Sequence, residues 1–600
     1  MKRLAAPLLL LVLLLGQVHA AAAAQASPSG VLRVLILPFD ATSTFEPYGL
    51  GLATALQRTL NSIDGIYAPP VAEGGLYVSR AHRLGLEAVD AATTAFAADA
   101  VISGAVSGSG TTLQVTLAFA GPHFSEPINV NLQLASDPAA AAEGVAAEAA
   151  ARLGHGGGEV RNRIARLSAQ APELVSVDAV ARAASRLNVG LADLAAAAQL
   201  DSDSSWVRAE YARALALAGR NDEALQQATA AVEAAPEDAE AQVVLGIVAQ
   251  AAGDFERARG AYRAALDLNS QHALALAGLA QLAEDPAQAR DLYEQALTAA
   301  PRLEEAALGL AALQGSDQQT LQTLRRASRN LPESVALHRA FIDTAIGAGD
   351  AAGALSYLQD VAADPLARSA ALYGLAGLLP DSLTEQALEF VRAGREHYPE
   401  SSGLMLTEAE LLVQQGNTAE AQALLESLRE SYPDSVEVAN SLAVLLAQQG
   451  EIDRAREVFA SVADDSATVQ LNLARLLVSS GQARAALSVL EPLVAQSGND
   501  AEVQTLYGLA LGRTGRTSEA VAALNRALEL DPEASEAQQA LTLFEQQRDI
   551  TGDTTVTLEG EAASLFEQGL QQLENGQATQ AAQSFGRAHE LSGNGLTAFY

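Results

Sequence analysis

Small and apolar residues recur along residues 205–550 at a fixed interval of 34 positions. Gly219 and Gly253 are one interval apart, and so are Ala224 and Ala258. A large residue followed by a small one precedes each such glycine, and an apolar stripe at helical spacing follows it. A unit of this length accommodates two helices and a turn. The pattern therefore predicts about ten stacked helix–turn–helix units.

Each recurring residue type has a physical role in such a unit. A small residue where two helices cross lets their backbones approach closely. Glycine at the turn adopts the left-handed conformation that ends the first helix, and proline, as at Pro236, starts the next helix with its φ already fixed. No unit can bury its apolar face alone. Neighbours are therefore expected to stack into a superhelix whose groove is lined by first helices.

A different pattern fills residues 31–154. Short apolar or alternating segments, which are typical of strands, are mixed here with segments of helical spacing. The predicted order is β-α-α-β-β-β-α, a small α/β domain. The strands are predicted at residues 31–39, 100–106, 113–119 and 128–134, and the helices at 48–60, 84–97 and 137–153.

The remaining segments connect or extend these two parts. Residues 1–24 combine Lys2 and Arg3, a short apolar run and small residues, which predicts a secretory signal peptide; an uncleaved anchor is the alternative. Cleavage fits either after Ala20 or after Ala24. Residues 155–204 are predicted to be a glycine-rich linker and capping helices. Residues 551–560 are a second predicted linker, and 561–600 a last repeat-like unit that is truncated or frayed at its end.

Charge and composition narrow the possible partners and compartment. The chain has 37 basic and 72 acidic residues, a net charge of −35, and only 4% aromatic residues. Such a surface repels nucleic acid and anionic lipid and favours neutral or basic protein partners. No later segment resembles a membrane span. Because residues 1–24 are predicted to be a signal peptide, we expect an exported protein in the periplasm, cell envelope or extracellular space. The sequence does not indicate its oligomeric state.

The sequence offers little material for catalysis. It contains no cysteine, and Lys2 is its only lysine, which excludes thiolate chemistry and, after signal cleavage, a Schiff-base or Walker lysine. Ser107 and Ser109 lack the spacing of a nucleophile elbow, and His82 and His123 lack that of metal ligands. Asp201 and Asp203 alternate as in a calcium loop, but its central glycine and closing glutamate are missing. We expect no catalytic residue, cofactor or metal.

The repeats resemble the tetratricopeptide family. The residues that carry the resemblance include Leu245-Gly246, Gly253, Ala258 and Tyr262, and the same types recur from Tyr507-Gly508 to Pro532. The resemblance implies a superhelical solenoid that binds an extended peptide or a partner helix with its first helices. The groove candidates are Trp206, Arg213, Asn440, Val444, Gln448, Asn472, Leu509 and Arg513. Trp206 could instead pack against the preceding half repeat. Asn440 and Asn472 could be ordinary surface residues or, with arginine, hold a peptide carboxylate.

Residues 31–154 also resemble a known domain type. The opening strand ends in Leu37-Pro38-Phe39, and Ala98-Asp99-Ala100 leads into Val101-Ile102-Ser103-Gly104 and a hairpin. These features are similar to the amino-terminal domain of TolB and to related domains of curli-secretion and flagellar outer-membrane proteins. The resemblance implies a non-catalytic domain associated with the cell envelope.

Two functional hypotheses follow for this mainly α chain, a tetratricopeptide solenoid preceded by a small α/β domain. In the first, the chain is an exported scaffold that holds protein partners in the groove of the array. In the second, it is an envelope assembly factor whose α/β domain makes the functional contact, and the array is a spacer. An enzyme is the third possibility, which no motif supports.

Overall fold

The computed structural model describes residues 30–42, 45–109, 111–172, 190–462, 467–551, 560–574 and 577–592. The chain divides into two compact units, Met1–Leu372 and Tyr373–Tyr600. A small α/β domain begins the first unit, and helix pairs make up the rest of both, so the predicted fold class is confirmed. The predicted signal peptide, most of the 551–560 linker and the chain end lie outside the described residues.

The α/β domain is one sheet between two layers of helices. Its strands are β1 (Leu32–Ile36), β2 (Asp40–Ala41), β3 (Ile66–Tyr67), β4 (Ala100–Ser109), β5 (Thr112–Ala120) and β6 (Ile128–Ala135). Its helices are α1 (Glu46–Asn61), α2 (Val71–Arg83), α3 (Ala88–Ala95) and α4 (Pro138–Arg152).

The sheet has the order β3-β1-β4-β5-β6, and β2 also pairs with β4. β1 is parallel to β3 and β4, whereas β4, β5 and β6 form an antiparallel meander. Successive side chains from Val34 to Leu37 point to opposite faces of the sheet, and each face has its own apolar core. Val34 and Ile36 pack with α1 and α4, and Leu35 and Leu37 pack with α2 and α3. Both faces of β1 are therefore buried from Val34 onward, which explains the apolar run from Val34 to Leu37.

The predicted element order of this domain is incomplete. The predicted strands at 100–106, 113–119 and 128–134 and the helices at 48–60 and 137–153 are confirmed, but α2, β2 and β3 were missed. The predicted helix at 84–97 is shorter and spans only Ala88–Ala95. Helix α2 contains Gly74 and Gly75, which weaken a helical pattern. A Cβ on Gly74 would lie 2.7 Å from Leu35 Cδ1, so close packing on β1 explains that glycine.

A short connection joins this domain to the array. Helix α5 (Gly158–Ser168) begins within the predicted glycine-rich linker, and α6 (Leu191–Leu200) precedes the first full repeat. Residues 173–189, which include much of the predicted capping segment, lie outside the described residues. Ser204, rather than Asp201 or Asp203, caps the next helix by accepting a hydrogen bond from the Val207 amide.

The array forms ten helix pairs between Ser205 and Leu530. In the first unit they comprise α7 (Ser205–Leu217), α8 (Asn221–Ala234), α9 (Ala239–Ala251), α10 (Phe255–Leu268), α11 (Ala273–Gln281), α12 (Pro286–Ala299), α13 (Glu304–Ala312), α14 (Asp317–Asn330), α15 (Val335–Gly347) and α16 (Ala351–Ala363).

The second unit continues the helix pairs. Helix α17 (Ala370–Gly374), at the division between the units, runs into 3₁₀ turns at Leu375–Leu378 and Asp381–Leu383. The following helices are α18 (Thr384–His397), α19 (Ser402–Gln414), α20 (Thr418–Ser431), α21 (Val436–Gln448), α22 (Ile452–Ala460), α23 (Ala467–Ser479), α24 (Ala483–Ser497), α25 (Ala501–Arg513), α26 (Thr517–Leu530), α27 (Ser535–Thr551), α28 (Gly560–Glu574) and α29 (Ala578–Ser592).

Glycine has the two roles that the repeat pattern predicts. Gly253 ends α9 with φ 79°, and the turn glycines of six other repeats have φ between 73° and 85°. Gly246 and Gly278 have a different role, because the ring of Tyr262 fills the space beside both. A Cβ at Gly246 would lie 2.5 Å from that ring, and one at Gly278 would lie 2.4 Å from it. Tyr262 thus joins two successive repeats.

Candidate functional site

A buried charged cluster fixes the α/β domain to the first repeats. Arg58, near the end of α1, is only 4% exposed. Its Nε and Nη2 donate to Asp238 Oδ2 at 3.0 and 2.8 Å, and its Nη1 donates to Glu210 at 3.4 Å. The guanidinium also lies 5.6 Å from the ring centroid of Trp206. Asp238 is at the same time the N-cap of α9, so one carboxylate serves both a repeat and the domain contact.

Glu240 extends this cluster in the first turn of α9. Its carboxylate accepts a hydrogen bond of 2.9 Å from Asn61 Nδ2 and lies 3.7 Å from Nε2 of His272. Burial acts to raise the pKa of Glu240, but the interactions with His272, Arg58 and Asn61 outweigh burial and hold the pKa far below that of a free glutamate. Glu240 is therefore charged at neutral pH, and its charge stabilises the contact between the domain and the array.

Hydrogen bonds from the next inter-repeat loop reach the edge of the sheet. Asn269 Nδ2 donates to the backbone oxygens of Asn61 and Ile66 at 2.8 and 2.9 Å. Asp64 accepts from the amide and hydroxyl of Ser270, at 2.9 and 2.7 Å. Asn269 thus binds one backbone oxygen at the end of α1 and one in the edge strand β3.

A second buried arginine joins the domain to the third and fourth repeats. Arg302 lies between α12 and α13, and its side chain donates to Glu73 of α2 at 3.1 Å and also pairs with Glu333. Its guanidinium carbon lies 4.3 Å from the ring centroid of Phe96 and 5.2 Å from that of Tyr77. Arg58 and Arg302 therefore fix the α/β domain at two separate places along the array.

Between these contacts lies a cleft of about 870 Å³, which we call the composite cleft because both the domain and the repeats line it. The α/β domain contributes the end of α1, the loop from Tyr67 to Pro70, and α2. The repeats contribute the first helices α7, α9, α11 and α13. The lining side chains include Glu73 and Leu76 of the domain and Glu210, Arg213, Leu217, Ile247, His272, Leu274, Glu304 and Glu305 of the repeats.

The walls of the composite cleft present apolar and polar groups together. Leu217 is 86% exposed and Leu76 is 63% exposed, although both are large apolar side chains. His272 is only 4% exposed, and neither of its ring nitrogens has a hydrogen-bond partner among the described residues. Because Nε2 faces the Glu240 carboxylate at 3.7 Å, Nδ1 is the ring atom that can form a hydrogen bond with a ligand in the cleft.

Two of the groove candidates lie in the first unit. Arg213 lines the composite cleft and pairs with Glu210 at 3.1 Å. Trp206 is 3% exposed and belongs to the apolar core that the α/β domain shares with Ala197 of α6. The indole therefore packs between the capping helix and the domain, where its surface is not available to an outside partner.

The other six candidates lie on first helices of the second unit. Asn472 Nδ2 donates to Asn440 Oδ1, so these two amides bind each other across neighbouring repeats. Val444 and Gln448 are exposed one helical turn apart on α21, and Leu509 is half-buried on α25. Arg513 donates to the carbonyl of Val478. These positions are not part of the composite cleft, and their contact with a partner stays a prediction.

The sequence reasoning missed most residues of the composite cleft. Leu217 lies one helical turn after Arg213, so the same reasoning extended by four residues would have found it. Arg58 and Leu76 gave no comparable signal, because nothing in one sequence indicates that an α/β domain covers a particular stretch of repeats. Their role depends on contacts between residues about 150–200 positions apart, such as Arg58 with Glu210 and Asp238.

The described part of the chain holds no group of three or more His, Cys, Asp or Glu side chains placed to bind a metal ion. None of its helices has both the length and the apolar character that a bilayer span requires.

Comparisons with known families identify the repeats. Models of the tetratricopeptide repeat match residues 243–304 and 406–468, residues 446–510, and residues 501–533. These segments coincide with the helix pairs from α9 to α13 and from α19 to α26. The array is therefore a tetratricopeptide repeat solenoid, a fold typical of protein interaction.

Solved structures of other proteins match parts of this chain at low sequence identity. MamA from Desulfovibrio magneticus RS-1 is 22% identical over 31% of this chain and 93% of its own, with a TM-score of 0.23. A tetratricopeptide repeat protein from Parabacteroides merdae is 17% identical over 42% and 98%, with a TM-score of 0.32. Yeast Tom70 is 15% identical over 60% and 93%, with a TM-score of 0.36. No curated protein matches the chain.

Proposed function

We propose that this chain is an exported, non-catalytic scaffold of the cell envelope that holds a segment of a partner protein in its composite cleft. The observation that carries the proposal is the cleft itself: first helices of four repeats line it, and it presents exposed leucines beside a buried histidine whose Nδ1 has no hydrogen-bond partner among the described residues. Exposed apolar side chains that line a concave surface with a few polar groups are typical of binding sites. Export is supported by the signal-like pattern of residues 1–24.

Site-specific photo-crosslinking tests this proposal. A photoreactive amino acid replaces Leu217 in the composite cleft and, in a matched control, Phe255, which is half exposed on α10 and lies outside the cleft. Each full-length variant is expressed in the cells that produce the protein, and these are irradiated intact. The proposal expects a discrete crosslinked protein from position 217 that is absent from position 255. No crosslink at 217, or the same products at both positions, would contradict it.

The second candidate function is an envelope assembly factor that contacts its target through the α/β domain. Strand β6 favours this candidate, because it lies at an edge of the sheet and pairs only with β5 among the described strands. Its residues contain no charge and no proline, the features that usually protect an edge strand. The resemblance of this domain to the TolB amino-terminal type agrees with such a role. A photoreactive residue at Asn131 would then give the crosslink that position 217 does not.

Because the α/β domain is docked on the array, deleting the domain would not distinguish the two candidate functions. Deletion of residues 31–154 would remove Arg58 and leave the carboxylates of Asp238 and Glu210 without their buried partner. The truncated array would also lose one wall of the composite cleft. Loss of binding after that deletion would therefore fit both candidates, whereas crosslinking from single positions separates them.

A further inference from the structure

We infer that the composite cleft selects an extended partner segment in which arginine or lysine alternates with apolar residues. This inference rests on the proposed function and specifies the chemistry of the partner. Three features of the cleft carry it: an excess of carboxylates, the exposed leucines, and a buried histidine whose Nδ1 has no hydrogen-bond partner among the described residues.

The charge of the cleft walls is unbalanced. Six glutamates line the cleft, namely Glu73, Glu210, Glu240, Glu304, Glu305 and Glu333, against three arginines. All three arginines already pair with carboxylates: Arg58 with Glu210 and Asp238, Arg213 with Glu210, and Arg302 with Glu73 and Glu333. A cationic ligand would neutralise the remaining negative charge, whereas an anionic ligand would add to it.

The excess charge is concentrated at one end of the cleft. Glu304 and Glu305 occupy the first turn of α13, where Glu304 accepts from the Ser334 hydroxyl and Glu305 is exposed. At the opposite end, around Glu210, both neighbouring arginines are within ion-pair distance. A cationic side chain would therefore bind at the α13 end, where no arginine competes for Glu305 among the ion pairs of the described residues.

The apolar and polar groups in the cleft fit a peptide better than a small cation. Leu217 and Leu76 offer exposed apolar surface for side chains, and Nδ1 of His272 offers one buried hydrogen-bonding atom for the peptide backbone. The first helices α7 to α13 span three helix-to-helix steps of about 9 Å each. At about 3.3 Å per residue, an extended segment needs about eight residues to cross all four helices.

Fluorescence anisotropy with defined peptides tests the inference. The probe is a fluorescein-labelled nonapeptide of alternating Leu and Arg, and the comparison peptides replace Arg with Gln or with Glu. Full-length protein is titrated into each peptide at physiological salt. We expect the Leu–Arg peptide to bind at least tenfold more tightly than the Leu–Gln peptide, and the Leu–Glu peptide not to bind. Equal binding of the Leu–Arg and Leu–Gln peptides would overturn the inference.

Charge-matched variants separate binding in the cleft from general attraction to an acidic protein. The double variant Glu304→Gln with Glu305→Gln removes two charges from the cleft. Glu256→Gln with Glu294→Gln removes two exposed charges from α10 and α12, outside it. We expect the first pair to weaken binding of the Leu–Arg peptide at least tenfold and the second pair by less than twofold. Equal weakening would overturn the inference, because the peptide would then bind the whole acidic surface.

The apolar part of the site has its own control. Leu217→Ser should weaken the Leu–Arg peptide at least fivefold, because it removes exposed apolar surface without changing charge. A peptide of alternating Ser and Arg should bind wild type and this variant equally weakly. Unchanged affinity of the Leu–Arg peptide for Leu217→Ser would show simple cation binding and overturn the peptide assignment. If the peptides fail but a partner still crosslinks at position 217, only this inference fails and the proposed function stands.

Discussion

Replacing Arg58 with alanine should release the α/β domain from the array. The side chain is fully buried, and its removal leaves Asp238 and Glu210 as buried carboxylates without their partner. Breaking a buried ion pair on one side costs about 3–5 kcal/mol. Since about 1.4 kcal/mol corresponds to a factor of ten, the ratio of docked to undocked protein should fall by a factor of roughly 10² to 4 × 10³.

The single tryptophan provides the assay. Trp206 is the only tryptophan of the chain, and it is buried at the contact that Arg58 makes. Undocking exposes the indole to water and shifts its emission to longer wavelength, so a urea titration of Trp206 fluorescence reports docking directly. Far-ultraviolet circular dichroism of the same samples reports whether the helices of the array remain folded, and thereby separates undocking from unfolding.

A second arginine at the same interface is the matched control. Arg166 of α5 pairs with Glu237, but both side chains are about half exposed. Exposed pairs contribute roughly 0–1 kcal/mol, so Arg166→Ala should leave the fluorescence titration almost unchanged. The reasoning is refuted if Arg58→Ala and Arg166→Ala lower the midpoint equally, or if Arg58→Ala leaves the Trp206 emission and its urea dependence unaltered.

Three further predictions concern the same unit. Gly278→Ala should cost about 1–3 kcal/mol in thermal unfolding, because the new Cβ overlaps the Tyr262 ring, and Tyr262→Leu in the same chain should recover part of it. Because folding lowers the pKa of Glu240, the stabilisation by the Glu240 charge is complete above about pH 5 and declines as the pH falls below about 4.3. The Glu240→Gln variant lacks this charge and should therefore show a shallower acid dependence of Trp206 fluorescence. Arg302→Ala should increase hydrogen exchange in α2 more than in α1, and an equal increase in both helices would contradict two separate attachment points.

The repeat array could be predicted from sequence because its determinants are local. Turn glycines, the small residues at helix crossings and the apolar stripes all act within one unit or between neighbours, and the positive φ of Gly253 confirms the expected helix end. Residues 306–332 match the repeat pattern poorly in sequence, yet they lie in a regular helix pair, α13 and α14. Packing from both neighbouring repeats compensates there for weak local signals.

The composite cleft could not be predicted because its determinants are distant in the chain. Arg58 and Asp238 are 180 residues apart, and each has an ordinary local explanation, one as a charged residue on a helix and the other as an N-cap. The surroundings of Trp206 could not be predicted for the same reason. Its position on a first helix suggested a groove residue, but the α/β domain covers it. Arg213, about two turns further along α7, lines the composite cleft, and its contact with a partner stays a prediction.

Blocking the composite cleft in the intact protein tests the central claim most directly. The chain has no cysteine, so Leu217→Cys can be modified at that position alone with a bulky maleimide, and Phe255→Cys gives an equally labelled control outside the cleft. Binding of the partner recovered by crosslinking is then measured for both labelled proteins. We predict that the label at position 217 abolishes binding and that the label at 255 leaves it unchanged. Undiminished binding with the cleft blocked would contradict the claim that the composite cleft holds the partner.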